Sequence, residues 1–275
     1  GGIHDPTGFD WWTVLPDQGE YHDPTFLEAD GRRVVRSGYA TDLITDLALE
    51  WIDRRDPGGR VRVIIPTHNG VDLLRACIAA LKATAPVDDL DIVVIDHDSD
   101  DPALAAYLIE LGDSVTTRRY SGPFNFSRMN NLAVADEPAR GEFLLFLNND
   151  VEAIERGWLE RLRALANLPD VGAVGATLLY PDGRVQHAGV IVGPGGYAEH
   201  AFKFAPYRSA GARNPGYNCG LMVTREWSAV TGACLMMRRD VFDSVGGFDE
   251  SLPVGFNDTD LCLRLRERGL AVLND

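Results

Sequence analysis

Asp150 stands directly after the apolar run FLLFL and two asparagines. A carboxylate placed there projects just beyond a buried strand. A hard cation such as Mg²⁺ or Mn²⁺ accepts one or two carboxylates together with phosphate oxygens. Asn148 and Asn149 offer amides to ribose hydroxyls or to a metal-bound water; the same three residues can also close a turn by satisfying backbone donors. Asp96 and His97 end a second apolar run, IVVI. The carboxylate can accept a base N–H and the imidazole can stack on a base or hydrogen-bond it, or both can be turn residues. A third feature is FNDTDLCLRLRERG, in which a helix opens near Asn257 and carries Leu261, Cys262 and Leu265 on one face. Its first turn presents Asp258 and Asp260, with Asn257 as the expected cap. Acids suit a helix N-terminus, but that leaves the preceding GGFDE loop without a reason. A general base needs a carboxylate within hydrogen-bond reach of a hydroxyl, and Asp258 can supply one.

These residues need elements to hold them. From Arg60 onward, short apolar runs alternate with helical periodicity. Strands are expected at 61–65, 92–95, 115–120 and 143–147, with helices over 72–84, 103–111 and 127–135. Asp101 is a good N-cap, Pro102 fits the first helical position and Gly112 ends that helix. Continuous apolar strands separated by helices predict a parallel sheet covered on both faces. Ligands are then expected at the carboxyl ends of the strands, where Pro66–Asn69, Asp96–Ser99 and Asn148–Asp150 lie. Residues 1–58 read differently: turns, short extended pieces and one amphipathic helix over 41–54, stopped by Pro57-Gly58-Gly59. His187 and His200 follow the PDG turn at 181–183 and could face an acceptor cleft, but they lack a carboxylate partner at a recognisable ligand spacing and read as structural. Arg128 and Arg264 could pair with phosphate, but a solvated surface position is the default for each.

The 275 residues include 26 Lys+Arg against 41 Asp+Glu, a net charge of −15, which argues against a nucleic acid partner gripped over a broad surface. An anionic small molecule stays compatible, because a metal ion inverts the local charge. No apolar run approaches the roughly 18 residues of a membrane span, and GGIHDPTGFDWW has no signal-peptide pattern. The four cysteines include no CxxC pair, so the expected compartment is reducing.

Six segments in order, VIIPTHNG (63–70), VVIDHDSDD (93–101), FNFSRMNNLA (124–133), FLLFLNNDVE (143–152), QHAG (186–189) and TGACLMMRRDVFDSVGGFDE…FNDTDLCLRLRERG, resemble the inverting family 2 glycosyltransferases, in particular their polysaccharide and O-antigen branch. The resemblance runs from about Val61 to Asp275. It implies an α/β fold of the GT-A type, a Rossmann-like nucleotide-binding half with a mixed sheet. It implies that Pro66 and Thr67 line the base pocket with Asp96 and His97 at its edge. Asn149 and Asp150 take the DXD position, and Asp150 becomes the ligand of a divalent cation, Mn or Mg. Asp258 becomes the catalytic base with Asp260 beside it, and Gly232 and Ala233 become small residues against the donor sugar. The implied substrates are a UDP- or dTDP-type nucleoside-diphosphate sugar and a glycan or lipid-linked acceptor. The implied place is the cytoplasm, with peripheral association at the inner face of the membrane allowed. Family members usually continue past the last helix to a His-containing segment that completes the metal site, which the resemblance would place beyond Asp275.

Residues 1–58 are similar instead to an internal stretch of arylsulfatase-type sulfatases, through DPTGFDWWTVLPDQGEYHDP and GYATDLITDLALEWIDRRD. The sulfatase nucleophile motif C-x-P-S-R is absent from the sequence. The expected division is therefore a non-catalytic, sulfatase-like fragment or accessory segment at 1–58 and a transferase domain at 59–275, cut short at its C-terminus. Trp11, Trp12, Phe26, Leu47 and Trp51 of such a fragment are expected to lie loosely on the transferase domain or to remain partly exposed. The competing functions are a nucleotide-sugar-binding remnant without turnover and, on weaker grounds, a sulfatase-type hydrolase.

Overall fold

The computed structural model describes residues 13–15, 20–55, 59–136, 142–193, 197–209 and 211–275. The chain divides into two compact units, Gly1–Arg55 and Asp56–Asp275. In the first, strands Thr13–Val14, Thr25–Glu28 and Arg33–Val35 form a small antiparallel sheet, followed by helix Ala40–Arg55. Phe26 and Leu47 are buried, contrary to the exposure expected of them. Trp11, Trp12 and the Trp51 side chain lie outside the described residues.

The second unit is built on an eight-stranded sheet. Its order is Arg225–Glu226, Ala271–Asn274, Val171–Gly175, Cys234–Arg238, Phe143–Leu147, Val61–Thr67, Leu90–His97 and Thr116–Tyr120. The last four strands run parallel to one another, as their continuous apolar character requires. The sheet as a whole is mixed, because 234–238 runs antiparallel between 143–147 and 171–175. This agrees with the mixed sheet that the resemblance implies: a strand entered from a long hairpin region, not from a crossover helix, is free to reverse direction.

Alternate side chains of the central strands feed two cores. Val63, Ile65, Leu145 and Leu147 pack with Leu74, Ile78, Leu81, Leu159 and Leu162. Ile64, Leu144 and Phe146 pack with Met129, Phe242, Phe248, Leu261 and Leu265. Local signals set several helix ends: the Asp101 side chain accepts the Ala103 N–H, Pro102 is the first helical residue, and Gly112 follows the helix at φ 50.

Arg62, only 1% exposed, is the largest fully buried side chain. It pairs with Asp91 at 2.9 Å across the neighbouring strand and donates to the Asp136 carbonyl. Asp91→Ala would leave a guanidinium in the core without its carboxylate, so urea unfolding should show a loss of about 3–5 kcal/mol.

Candidate functional site

Parallel pairing brings Thr67 opposite Asp96, so the loops after 61–67 and 90–97 share one edge of the sheet. Antiparallel pairing sets Cys234 opposite Leu147, so the residues entering the 234–238 strand meet those leaving 143–147. A cleft of about 490 Å³ lies along this edge. Its walls include Pro66, Thr67, His97, Asn149, Gly232, Ala233 and Asp258, seven of the residues singled out from the sequence.

Polar side chains lock the loops together. Asn149 donates to the Thr67 hydroxyl at 2.9 Å. Asn69, with φ 52, accepts the N–H groups of Asp100 and Asp101 and gives its own N–H to the Ser99 hydroxyl. Asp98 accepts from the Ser121 hydroxyl and the Gly122 N–H, bonds that hold its carboxyl below the usual range. His97 bonds the Gly122 carbonyl at 2.9 Å and stands in a ring cluster with His68, Tyr120 and Phe124. A flat ligand entering here meets imidazole and phenyl faces.

The opposite wall is delivered by the helix Phe126–Ala135. Asn125 caps it by accepting the Arg128 N–H, and its amide donates to the Glu250 carbonyl. Ser127 donates to the Leu252 carbonyl, and Asn131 binds both backbone groups of Phe248. These bonds explain the GGFDE loop: it is clamped onto this helix, with Phe248 buried edge-on against Phe146 at 4.8 Å. A Cβ at Gly247 would come 2.7 Å from Asn131 Oδ1, at a φ of +73. The clamp sets the start of helix Asn257–Glu267.

That start differs from the expected one. The cap position is Phe256, left-handed at φ 63, and Asn257 is the first helical residue, its side chain accepting the Asp258 N–H. A left-handed phenylalanine costs about 1–3 kcal/mol and persists only where surrounding contacts impose it. Asp258 lies in the cleft: Oδ2 accepts the Gly232 N–H at 2.9 Å and Oδ1 the Thr259 N–H at 2.7 Å. Asp260 turns elsewhere and pairs with Arg264, whose guanidinium also holds the Val245 and Gly247 carbonyls. Arg264 is thus a fastener of the loop and not the solvated side chain expected.

Two further residues stand apart from the cleft walls. Asp96 is buried and accepts the Ser99 N–H, the turn-closing role open to it from the start. Asp150 is exposed beyond Asn149, and among the described residues no basic side chain pairs with it or with Glu152. Burial, then the charges of Asp150 and Glu152, push the Cys77 thiol up to about 12. No group of three or more His, Cys, Asp or Glu among the described residues could by itself cage a metal. The donor set nevertheless fits a hard divalent cation shared with a ligand's phosphates, since such an ion takes one or two protein carboxylates. His68, Phe124, Phe126, Met129, Thr231 and Val254 also line the cleft. His68 falls within the Pro66–Asn69 exit where ligand is expected, whereas the other five have no role in the sequence reading, although Phe124, Phe126 and Met129 sit inside the segment FNFSRM.

Residues 62–246 match the family model "Glycosyl transferase family 2". The chain is 42% identical over 213 residues to "Uncharacterized protein y4gI" of Sinorhizobium fredii, covering 76% of this chain and 23% of that protein. It is 36% identical over 250 residues to the "O-antigen biosynthesis protein RfbC" of Myxococcus xanthus, covering 90% of this chain and 19% of that protein. The chain thus spans about a fifth of the length of these relatives. The sulfatase-like segment is matched as well, at 49% identity over 57 residues to the "N-acetylglucosamine-6-O-sulfatase" of Bacteroides thetaiotaomicron, 20% of this chain and 10% of that enzyme. Among solved structures, GalNAc-T7 with UDP, GalNAc and Mn²⁺ superposes with a TM-score of 0.63 at 15% identity, covering 79% of this chain and 42% of that one. The mannosyltransferase PcManGT of Pyrobaculum calidifontis, with GDP-Man and Mn²⁺, gives 0.54 at 18%, covering 86% and 66%. The fold shared with both is GT-A, as the sequence implies.

Burial pushes the Cys234 and Cys262 thiols up to about 12 as well, while Cys219 is exposed. A thiol with so high a pKa keeps its proton at about pH 8, so iodoacetamide should label Cys219 and spare the three buried thiols in the native protein, as read by peptide mass spectrometry.

Proposed function

The chain belongs to glycosyltransferase family 2, and we propose that it moves a sugar from a nucleoside diphosphate to a glycan or lipid-linked acceptor, with inversion at the sugar carbon, in polysaccharide biosynthesis. The observation that carries this reading is Asp258, a carboxylate held in the cleft by the Gly232 N–H at 2.9 Å. An oxygen accepting one such bond keeps a lone pair for an acceptor hydroxyl. Asp258 takes the hydroxyl proton as the acceptor oxygen bonds to the sugar carbon. The bond from that carbon to the phosphate oxygen breaks, and its electron pair leaves with the nucleoside diphosphate.

The remaining roles follow the walls of the cleft. Pro66, Thr67 and His97 take the base, of UDP or dTDP type, and Asn149 supports the ribose side. Gly232 and Ala233 face the donor sugar. A Cβ at Gly232 would find only ordinary contacts, 3.4 Å to Phe126 and 3.5 Å to Asp258, so the protein's own packing does not demand glycine there. Space left for a ligand is the reason that fits. A divalent cation, Mn²⁺ or Mg²⁺, would be held by Asp150 together with diphosphate oxygens and would stabilise charge on the leaving group. Asp260 belongs in this reading as a support of the base helix through Arg264. Residues 1–58 are read as an accessory segment with no part in transfer. Among the described residues no helix is long and apolar enough to cross a membrane. We place the domain on the cytoplasmic side, at the inner face of the membrane, where a nucleotide-sugar donor and a lipid-linked acceptor can meet.

Asp258→Asn keeps the size and, through its one amide oxygen, one of the two backbone N–H bonds, and removes basicity. Donor binding by calorimetry should persist while transfer falls by about two to four orders of magnitude; equal loss of both would make Asp258 structural, and binding without any wild-type turnover would favour a non-catalytic remnant. Asp150→Ala should abolish the extra thermal stabilisation that Mn²⁺ gives in the presence of UDP or dTDP, and a retained shift would place the cation elsewhere.

A further inference from the structure

His187 is fully buried at the end of strand Val185–His187, and the transfer chemistry above makes no use of it. Its Nε2 lies 3.3 Å from the Gly189 nitrogen and 3.4 Å from the Thr231 nitrogen, both N–H donors. A ring nitrogen that accepts two N–H groups carries no proton, so the proton of the neutral ring sits on Nδ1. Nδ1 in turn lies 2.8 Å from Nδ1 of His200, across rings set at 85°. His200 must accept there, which puts its own proton on Nε2. Burial, and after it His200, pushes His187 down to about 3 against a bond to the Asn274 side chain that raises it, so the ring stays neutral. Gly189 seals the arrangement: a Cβ there would come 2.3 Å from the Trp227 indole.

The residue that His187 holds begins a strap of three. Thr231 gives its N–H to His187, Gly232 gives its N–H to Asp258, and Ala233 accepts the N–H of Asn148 through its carbonyl. Each residue of the strap is therefore tied to a different part of the cleft or its support. Asp258 also faces His200 electrostatically: it draws the His200 pKa upward against burial and Lys203, which lower it.

We propose that His187 is a positioning residue for Asp258, acting through the Thr231–Gly232 backbone, with His200 fixing the tautomer that lets it do so. This rests on the reading of Asp258 as the base, and one arm of the test needs no turnover. In the full chain, His187→Phe puts a somewhat larger ring without an acceptor at this place, while His187→Gln offers an amide oxygen instead. Amide exchange at Thr231 and Gly232 should quicken by about tenfold or more in His187→Phe and return to within about threefold of wild type in His187→Gln, with the 61–67 strand unchanged. Unchanged exchange at those two amides would overturn the proposal.

The kinetic arm separates positioning from general damage. His187→Phe should lower kcat by about ten- to a hundredfold with donor KM within about twofold, and His187→Gln should restore most of it. In the Asp258→Asn background the same change should cost nothing further; additive losses would overturn the proposal. If wild type transfers no sugar, the functional reading fails while the exchange arm still decides the role of His187. If His187→Phe does not fold, His200→Leu removes the partner of the Nδ1 proton from a half-buried position: faster exchange at Thr231 and Gly232 supports the proposal, and no change overturns it.

Discussion

Everything in the cleft depends on Cys234 lying opposite Leu147. Had the 234–238 strand joined the sheet in parallel, its entering residues would sit at the far edge, a strand length of about 15 Å away. Antiparallel insertion instead delivers Thr231, Gly232 and Ala233 beside Asn148, at the edge where the parallel strands end. The sheet thus gathers its chemistry from both directions of chain travel. A fully parallel sheet would have only strand exits to work with.

The second constraint is the clamp between helix 126–135 and the loop at 248–253. Asn125, Ser127 and Asn131 spend their side chains on backbone groups more than a hundred residues away. Phe248 fills the space beneath, against Phe146 and Phe242. These bonds fix the level at which helix 257–267 begins and hence where Asp258 emerges. Phe256 is held left-handed by the same requirement. The one acid of that first turn left for chemistry is Asp258, because Arg264 engages the other.

What could be read from the sequence was local or periodic. Apolar runs located the 61–67, 90–97 and 143–147 strands, and Asp101, Pro102 and Gly112 set a helix through bonds within a few residues. The cleft residues at strand exits followed from those runs. Asp260 and Arg264 were harder: an i,i+4 pair is visible in sequence, but not that the arginine also holds the carbonyls of 245 and 247. Asn257 has the composition of a cap, yet the loop brings the chain in through Phe256 and pushes Asn257 into the helix. His187 reads as structural because no carboxylate stands at a ligand spacing; its partners are backbone N–H groups, a second histidine and the Asn274 side chain, which spacing does not reveal. The hairpins between 178 and 226 have short strands and no period long enough to read.

Because the strap and the base helix come from residues 231–267 while the opposite loops come from residues 66–149, the cleft is a late product of chain synthesis. When the strands at 61–67, 90–97 and 143–147 have left the ribosome, they can pair and bury their first core, but the edge they form lacks the strap 231–233 and Asp258. Strand 234–238 is then the link that joins 171–175 to 143–147 and so extends the sheet. Strand 171–175 pairs only with 234–238 and 271–274, so until those residues are made 143–147 shows an unpaired edge and 171–175 has no strand partner. That waiting interval is where such a domain would most need a chaperone.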